Sequence, residues 1–250
     1  MTAFVFCGPS LTAEQGRPHL DAIYLPPVAQ GDVIRVIARK PTAIGIIDGF
    51  FHNVPAVWHK EVLAALQQGI PVWGSASMGA LRAAELHPFG MVGVGAVFEA
   101  YRDGIIEDDD EVAVTHGPGE LGYLALSEAM VNIRCTMADA QQQGVLSERS
   151  RIVLERAAKA LPYQERTYDR ILKAAAAAGL DRRDVEVTRA WLPSGRRDLK
   201  REDAVRMLQV MRERLVAGAP RATPKFHFEE TTLWLSAVKG TLEGTRAPRT

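Results

Sequence analysis

One serine of the sequence has neighbours suited to nucleophilic chemistry. Ser77 lies in the stretch 74–79, Gly-Ser-Ala-Ser-Met-Gly, between an apolar run that predicts a strand and a run with helical spacing. Small residues two before and two after a serine allow a tight strand-to-helix turn, as in a nucleophile elbow. Here these residues are Ser75 and Gly79, and Ser75 departs from the usual glycine. The turn would expose the Ser77 hydroxyl and aim the N–H groups of Met78 and Gly79 at developing negative charge.

The same stretch fits two other interpretations. A small-residue turn at a helix N-terminus would also bind a phosphate or a carboxylate, because the first N–H groups of a helix have no partners within it. It would also serve simply to pack the strand closely against the helix. The sequence therefore leaves a nucleophile, an anion site and a packing element as alternatives at Ser77.

A nucleophilic serine needs a base, and four side chains are candidates: His52, His59, Lys60 and His116. His116 follows the apolar residues 112–114, which predict a short strand, so we expect it to point into a cleft. His59 and Lys60 fall on a predicted helix, where exposure on the surface is the simpler expectation. Spacing alone does not fix any of them as the base.

Further candidates fall in loops that follow predicted strands. Asp48 ends an apolar run, and a carboxylate at the rim of a buried strand must be hydrogen-bonded or used. An Asx-turn within its own loop is the structural alternative. Ligands bind where the loops at the carboxyl ends of parallel strands converge. The loops therefore predict ligand-binding residues at Gly8, Pro9, Ser10 and Gly49.

Apolar runs alternating with helix signals predict the fold. The runs at 3–7, 23–26, 43–47 and 71–74 are typical of buried parallel strands. Helical spacing follows in 57–66 and 78–86, and we expect another helix over 92–101. From residue 124 onward the pattern is helical. We therefore predict a doubly wound, mainly parallel α/β sheet with a C-terminal helical lobe, divided into a core at 1–120 and a helical extension at 121–250.

The composition indicates an ordinary globular protein. The 250 residues are 47% hydrophobic and 24% charged, which excludes a disordered chain. Only Cys7 and Cys135 are present, so neither a disulfide framework nor a metal-ligand spacing is expected. The apolar N-terminal stretch is too short for a signal peptide or a membrane span. These features predict a cytoplasmic protein with no cofactor, no metal and no membrane association.

Charge is distributed unevenly along the chain. Residues 1–140 carry 8 Lys and Arg against 16 Asp and Glu, and residues 141–250 carry 22 against 14. The basic residues alternate with acidic ones as on a solvated helix face, so nucleic acid is not the expected partner. The acidic run at 107–111 lacks the ligand spacing of a calcium loop, and we expect a solvated turn there. Arg82 and Glu85, three apart on a helix, predict an ion pair.

Several of these motifs together resemble the TfuA-like family. The resemblance is carried by the segments 6–11, 47–51 and 59–61, by the long motif at 74–86, and by 89–95, Tyr101 and 109–112. It covers roughly residues 4–135 in order. In the back half only Lys-Arg-Glu-Asp-Ala at 200–204 looks familiar.

The resemblance implies a protein that works beside a YcaO enzyme in converting peptide amides to thioamides. YcaO would activate the peptide with ATP, and this chain would deliver sulfide from the thiocarboxylated C-terminus of a ubiquitin-like sulfur carrier. Releasing that sulfur is acyl transfer, for which Ser77 is suited. A non-catalytic module that tethers the carrier or the peptide to YcaO is the alternative. We expect the uneven charge to orient the partners, with Lys200 and its neighbours as contacts.

The predicted site thus has two groups of residues. The catalytic group comprises Ser77, His116, His59, Lys60 and Asp48. The substrate-binding group comprises Gly8, Pro9, Ser10, Gly49, Met78, Gly79, Arg82 and Glu85.

Overall fold

A five-stranded, all-parallel sheet lies at the centre of the structure, a computed structural model that describes residues 2–51, 54–218 and 226–244. The strand order is β2-β1-β3-β4-β5. The strands are β1 (Ala3–Phe6), β2 (Ile23–Leu25), β3 (Ala43–Ile46), β4 (Val72–Gly74) and β5 (Val92–Gly93). The predicted parallel α/β sheet with a largely helical remainder is confirmed.

Eleven α-helices occur in the described part of the chain. Five connect or follow the strands: α1 (Ala13–Gly16), α2 (Asp32–Ala38), α3 (His59–Gln67), α4 (Met78–Leu86) and α5 (Ala96–Arg102). Six more follow: α6 (Met130–Gln142), α7 (Glu148–Ala160), α8 (Tyr168–Ala177), α9 (Arg182–Gly195), α10 (Leu199–Val216) and α11 (Thr232–Glu243). No helix in the described ranges is long and apolar enough to cross a membrane.

The chain divides into two compact units. The first comprises Met1–Ile105 and Asp203–Thr250, and the second comprises Ile106–Glu202. This division differs from the expected boundary at residue 120, because the last part of the chain returns to the unit that holds the sheet.

In the first unit the sheet is buried, as its apolar runs predict. Every residue of β1, β3 and β4 is buried. One face packs against α10, where Met207 and Met211 are fully buried in the same cluster as Val5. A methyl group added at Gly45 would lie 2.9 Å from the Met211 sulfur, so glycine lets this helix approach the sheet.

The second unit is a helical assembly with its own core. Met130, Ile133, Leu154 and Ile171 are at most 1% exposed, and they bring helices α6, α7 and α8 together. Leu192 adds α9 to the same cluster. The helical periodicity of this half of the sequence therefore reflects real burial of one face of each helix.

Two local predictions were wrong. The stretch 92–101, expected to be one helix, holds the two-residue strand β5 before α5 begins. The stretch 112–114, expected to be a strand, follows a 3-10 turn at Asp109–Glu111 and belongs to no strand. Both errors concern apolar runs too short for their periodicity to separate a strand from a helix or a loop.

Candidate functional site

The candidate residues of the first unit lie on loops at the carboxyl edge of the sheet. The strand order reverses between β1 and β3, and such a switch point is where open α/β sheets bind ligands. The loop 8–10 follows β1, the loop 48–50 follows β3, and the turn 75–77 follows β4. Three of the sequence-predicted loops are therefore neighbours along one edge.

Asp48 ties the first two loops together. Its carboxylate accepts hydrogen bonds from the N–H groups of Gly8 at 2.8 Å and Ser10 at 3.1 Å, and from the Ser10 hydroxyl at 2.6 Å. Asp48 is 1% exposed and Ser10 is 5% exposed. The donors that a bound anion would use at this switch point are thus occupied by an internal carboxylate. This geometry supports a structural role for Asp48 across two loops, rather than an Asx-turn within its own loop.

The buried Asp48 also affects a neighbouring thiol. Burial raises the pKa of Cys7 to about 12, with a further contribution from the negative charge of Asp48. This raised pKa favours the protonated thiol of Cys7 over the reactive thiolate.

Ser77 lies where the sequence predicts it, between β4 and α4, but its side chain is more buried than expected. It is the N-cap residue of α4, yet its hydroxyl caps none of the helix N–H groups. The residue is 3% exposed, and its Oγ makes no hydrogen bond to any described residue. Every fully buried side-chain nitrogen or oxygen in the described ranges does have a partner. The Ser77 Oγ must therefore reach solvent through a narrow opening.

The backbone before Ser77 is strained. Ala76 is fully buried and has a φ of 66°, a conformation that is uncommon for residues other than glycine. Three hydrogen bonds hold the turn: Ser75 N–H to the Ile46 carbonyl, and Ser77 and Ala80 N–H to the Ser75 carbonyl. Strain of this kind costs about 1–3 kcal/mol and clusters at functional sites.

The residues that allow the turn to close are Gly74 and Gly79, not Ser75 and Gly79. A methyl group at Gly74 would lie 2.1 Å from the Gly79 carbonyl oxygen, and one at Gly79 would lie 1.8 Å from the Ile46 carbonyl oxygen. Ser75 instead donates its hydroxyl to the Val94 carbonyl at 2.7 Å, which links the turn to the residue after β5. The turn does require two small residues, but the first of them is Gly74 and not Ser75.

The expected pair of backbone donors is reduced to one. The Gly79 N–H donates to the Ile47 carbonyl at 3.2 Å, so it is not directed at a ligand. Met78 is the first residue of α4, and its N–H has no partner within the helix. The Met78 side chain packs over Gly49, where an added methyl group would lie 2.7 Å from its Cγ. Gly49 and the Met78 side chain are thus packing elements.

Four predicted residues of α3 and α4 lie away from Ser77. Glu85 binds His59 Nε2 at 2.8 Å and Arg82 at 2.7 Å, and Arg82 also donates to the Val57 carbonyl. Glu85 is eight residues along α4 from Ser77, a rise of about 12 Å. Lys60 donates to Thr231 and lies over two aromatic rings, at 5.4 Å from Phe228 and 5.9 Å from Trp234. The ion pair expected between Arg82 and Glu85 is present, and His59 extends it.

His116 belongs to the second unit. Its Nδ1 lies 2.8 Å from the Gly117 carbonyl, its ring packs edge-on against Tyr123, and its backbone forms an antiparallel bridge with Ala125. The strand that was expected to aim His116 into a cleft is not formed. His52, the other histidine considered as a base, lies outside the described residues.

The sequence-based reasoning missed two buried carboxylates. Glu61 is fully buried and accepts the N–H groups of Gly31 and Trp58, and its burial raises its pKa despite these hydrogen bonds. Its position as the third residue of α3 is a capping-box signal that could have identified it. Asp203 accepts the N–H groups of Ala96 and Val97 at the start of α5. No local signal marks that long-range cap.

One expectation about charged residues was wrong and another holds only in part. Lys200, expected at a partner surface, is 3% exposed and donates to the Val112 carbonyl at 2.7 Å. The acidic run at 107–111, expected to be a solvated turn, is exposed at 107–109, whereas Asp110 and Glu111 are less exposed and paired. Lys159 binds Asp108, Asp110 and Glu111, while Arg166 binds Asp110 and Arg134 binds Glu111. Among the described residues, no group of three or more His, Cys, Asp or Glu could hold a metal ion.

Comparison with known proteins supports the family resemblance. A family model described as TfuA-like protein matches residues 48–167, just under half of the chain. The matched range includes Asp48, Ser77 and helices α3 to α7, and it excludes the loop at 8–10. A search of curated proteins gives no match.

Proposed function

We propose that this chain, which matches the TfuA-like family over residues 48–167, is an accessory protein that partners a YcaO enzyme in peptide thioamide formation. In this proposal it acts in the cytoplasm and delivers sulfide from the thiocarboxylated C-terminus of a small sulfur-carrier protein. Ser77 is the residue that meets the thiocarboxylate. The family match supports the accessory role, and the remaining steps rest on the chemistry of the turn at Ser77.

The observation that carries the proposal is the unpartnered hydroxyl of Ser77. The Ser77 Oγ is not fully buried, and no described residue takes its hydrogen bond, so the hydroxyl is open to a ligand. Ser77 is 97% shielded, follows a strained residue, and lies at the positive end of a nine-residue helix. These features favour a side chain kept available for an anionic ligand over a side chain that stabilises the turn.

The proposed reaction has two balanced steps. In the first, the Ser77 oxygen bonds to the thiocarboxylate carbon, the carbon–sulfur bond breaks, and the serine proton leaves with the sulfur as hydrosulfide. In the second, water attacks the acyl-serine ester, restores the hydroxyl, and releases the carrier carboxylate and a proton. The Met78 N–H and the helix N-terminus stabilise the negative oxygen that develops in each step.

In the first step the thiocarboxylate sulfur itself serves as the base, since it takes the serine proton as it departs, so no side chain of the protein has to accept that proton. Among the described residues, His59, Lys60 and Asp48 already have partners and make no hydrogen bond to Ser77. We therefore assign Asp48 to holding the loops of the site. The His59–Glu85–Arg82 cluster, partly exposed and about 12 Å along α4 from Ser77, is assigned to contact with the carrier or with YcaO.

A non-catalytic binding module is the second candidate, and one observation favours it. The Gly79 N–H is bonded to Ile47, so only the Met78 N–H remains of the two donors expected in an oxyanion hole. A helix N-terminus with one spare donor and one hydroxyl can bind a thiocarboxylate without cleaving it. In that case the chain would hold the carrier tail until YcaO uses the sulfur.

One experiment separates the two functions. Native protein and Ser77→Ala are incubated with a thiocarboxylated carrier, while released sulfide and carrier binding are measured in parallel. The hydrolase predicts sulfide release that falls by about a hundredfold or more in Ser77→Ala, with binding retained. The binding module predicts no sulfide release from either protein and weaker carrier binding by Ser77→Ala. Release that survives the substitution would exclude Ser77 from catalysis.

The YcaO partnership is tested separately. The chain is expressed with the YcaO enzyme encoded nearest to it, and the complex is isolated by affinity capture of either protein. We expect charge reversal at Arg82 or Glu85 to weaken capture, and Glu107→Lys, which changes an exposed carboxylate elsewhere, to leave it unchanged. Failure to capture YcaO from either side would contradict the partnership and leave the sulfide measurement unaffected.

A further inference from the structure

A groove in the second unit lies outside the predicted site. It has a volume of about 530 Å³ and lies between the start of α8 and the end of α9. Its volume is within the range of about 300–1,000 Å³ that is typical of sites for small ligands. Apart from Thr167, all its lining residues fall after the part of the chain that matches the TfuA-like family.

Two arginines line this groove. The Arg196 guanidinium lies 5.9 Å from the centre of the Tyr168 ring, and its Nε is 3.8 Å from the Glu128 carboxylate, too far for a hydrogen bond. Its N–H groups donate to no described residue, and the side chain is 59% exposed. Arg189 binds Asp169 at 2.7 Å in a mainly exposed ion pair, which a ligand anion can displace at little cost.

The two helices beside the groove each lack some internal backbone hydrogen bonds. Pro193 lies inside α9 and has no N–H, so the Arg189 carbonyl lacks its usual helical donor. Opposite it, the first N–H groups of α8 have no acceptor within the helix, although the Thr167 hydroxyl accepts the N–H of Arg170.

The rest of the lining is apolar. Leu172 is 1% exposed and Leu192 is 8% exposed, and both belong to the core of the second unit. The Tyr168 ring and Pro193 are the other apolar parts of the lining, which forms the floor of the groove. The lining thus combines this apolar floor with two arginines and one carboxylate, Asp169, and the Glu128 carboxylate lies near Arg196.

We propose that this groove binds an extended peptide segment that carries an acidic side chain next to an apolar one. Arginine pairs with carboxylates through two parallel hydrogen bonds, for which Arg196 has its donors free. The apolar neighbour fits the floor at Leu172 and Leu192. This binding does not depend on the reaction proposed at Ser77.

A phosphate-bearing ligand fits the same arginines but not the rest of the groove. A phosphate group is fully polar, so it leaves the apolar residues Leu172 and Leu192 without a contact. Its second charge would also meet the carboxylate of Asp169. The apolar floor and the Asp169 carboxylate therefore favour a peptide.

The test uses a defined probe, a fluorescein-labelled Gly-Glu-Leu-Asp-Leu-Glu-Gly amide, with fluorescence polarisation as the readout. The matched neutral probe has Gln and Asn in place of Glu and Asp. Arg196→Gln is expected to weaken binding of the acidic probe by about tenfold, and Arg189→Gln by less, because Arg189 already has a partner. The control is Arg182→Gln, on the same helix, since Arg182 is exposed, binds Glu186 and does not line the groove.

Saturable binding of the acidic probe, lost in Arg196→Gln and kept within about twofold in Arg182→Gln, is the expected result. Three outcomes overturn the proposal: no saturable binding to the native protein, equal binding of the neutral probe, or equal losses in Arg196→Gln and Arg182→Gln. Displacement of the probe by inorganic phosphate at lower concentration than by unlabelled peptide would assign the groove to a phosphate ligand instead. Sulfide release is expected to be unchanged in Arg196→Gln, which separates this test from that of Ser77.

Discussion

The loops after β3 and β4 lie side by side, and each holds a buried polar side chain. The two side chains differ in their hydrogen bonding. Asp48 uses its carboxylate for three hydrogen bonds to the neighbouring loop. Ser77 is almost as deeply buried and makes none through its hydroxyl to the described residues. The comparison teaches that burial alone does not mark a functional residue. The Asp48 carboxylate is used by the fold, whereas the Ser77 hydroxyl keeps some solvent exposure and no described partner, so it is available to a ligand.

The largest expected effect is a loss of stability when a substitution prevents the turn at Ser77 from closing. In Gly79→Ala the new methyl group would overlap the Ile46 carbonyl oxygen, which is backbone and cannot move aside easily. We expect a loss of about 4 kcal/mol or more in the free energy of unfolding, measured by urea denaturation. Gly240→Ala is the control, since nothing lies within 4 Å of its added methyl group. Similar stability of the two variants would contradict the close approach of β3 and α4.

The next effect concerns Asp48. Asp48→Ala removes the acceptor of three hydrogen bonds and leaves the N–H groups of Gly8 and Ser10 buried without a partner. We expect a loss of about 3 kcal/mol in the free energy of unfolding. Asp32→Ala, at a partly buried residue that accepts the N–H of Ala29 and binds Arg35, is the comparison and should lose less. Equal losses would mean that the loop after β1 does not depend on Asp48.

A smaller effect with a defined pH dependence is expected in the second unit. Burial acts to raise the pKa of Asp110, but hydrogen bonds from Lys159 and Arg166 outweigh it and lower the pKa below its ordinary 3.8. A carboxyl with a lowered pKa stabilises the folded state above its unfolded pKa, and this contribution is lost as the pH falls through the folded pKa. Asp110→Asn should therefore cost about 2 kcal/mol at neutral pH and progressively less in acid.

The control for that pH profile is Glu107→Gln, in the same acidic run. Glu107 is exposed and forms no ion pair with a described residue, so its substitution should change stability by less than about 0.5 kcal/mol at any pH. The prediction fails if the free energies of unfolding of Asp110→Asn and the native protein differ by the same amount at every pH between 2 and 7. That result would show that Asp110 carries no net stabilising charge interaction.

Much of the fold follows from local patterns. The apolar runs of β1, β3 and β4 predict buried parallel strands, and the structure has them. The two-residue strand β5 could not be predicted, because a strand that short has no periodicity of its own. The role of Asp203 at the start of α5 also could not, since it joins residues more than a hundred positions apart.

The same limit applies to the candidate site. The position of Ser77 at the start of α4 was predictable, because small residues between a strand and a helix are a local signal. Which polar groups have partners was not, because the partners of Asp48 come from the loop after β1, 38–40 residues earlier. Lys200 was placed on the surface by its residue type, whereas its ammonium group is buried against the Val112 carbonyl.

The central claim is tested most directly by comparing Ser77→Ala with Ser10→Ala, two buried serines on the same edge of the sheet. Sulfide release from a thiocarboxylated carrier and urea unfolding are measured for both. We expect Ser77→Ala to lose about a hundredfold in release while its free energy of unfolding changes by less than about 0.5 kcal/mol. Ser10→Ala, which loses a hydrogen bond to Asp48, should keep most of its release and lose about 1.5 kcal/mol. The reverse pattern, with Ser77→Ala unstable and active, would contradict the account.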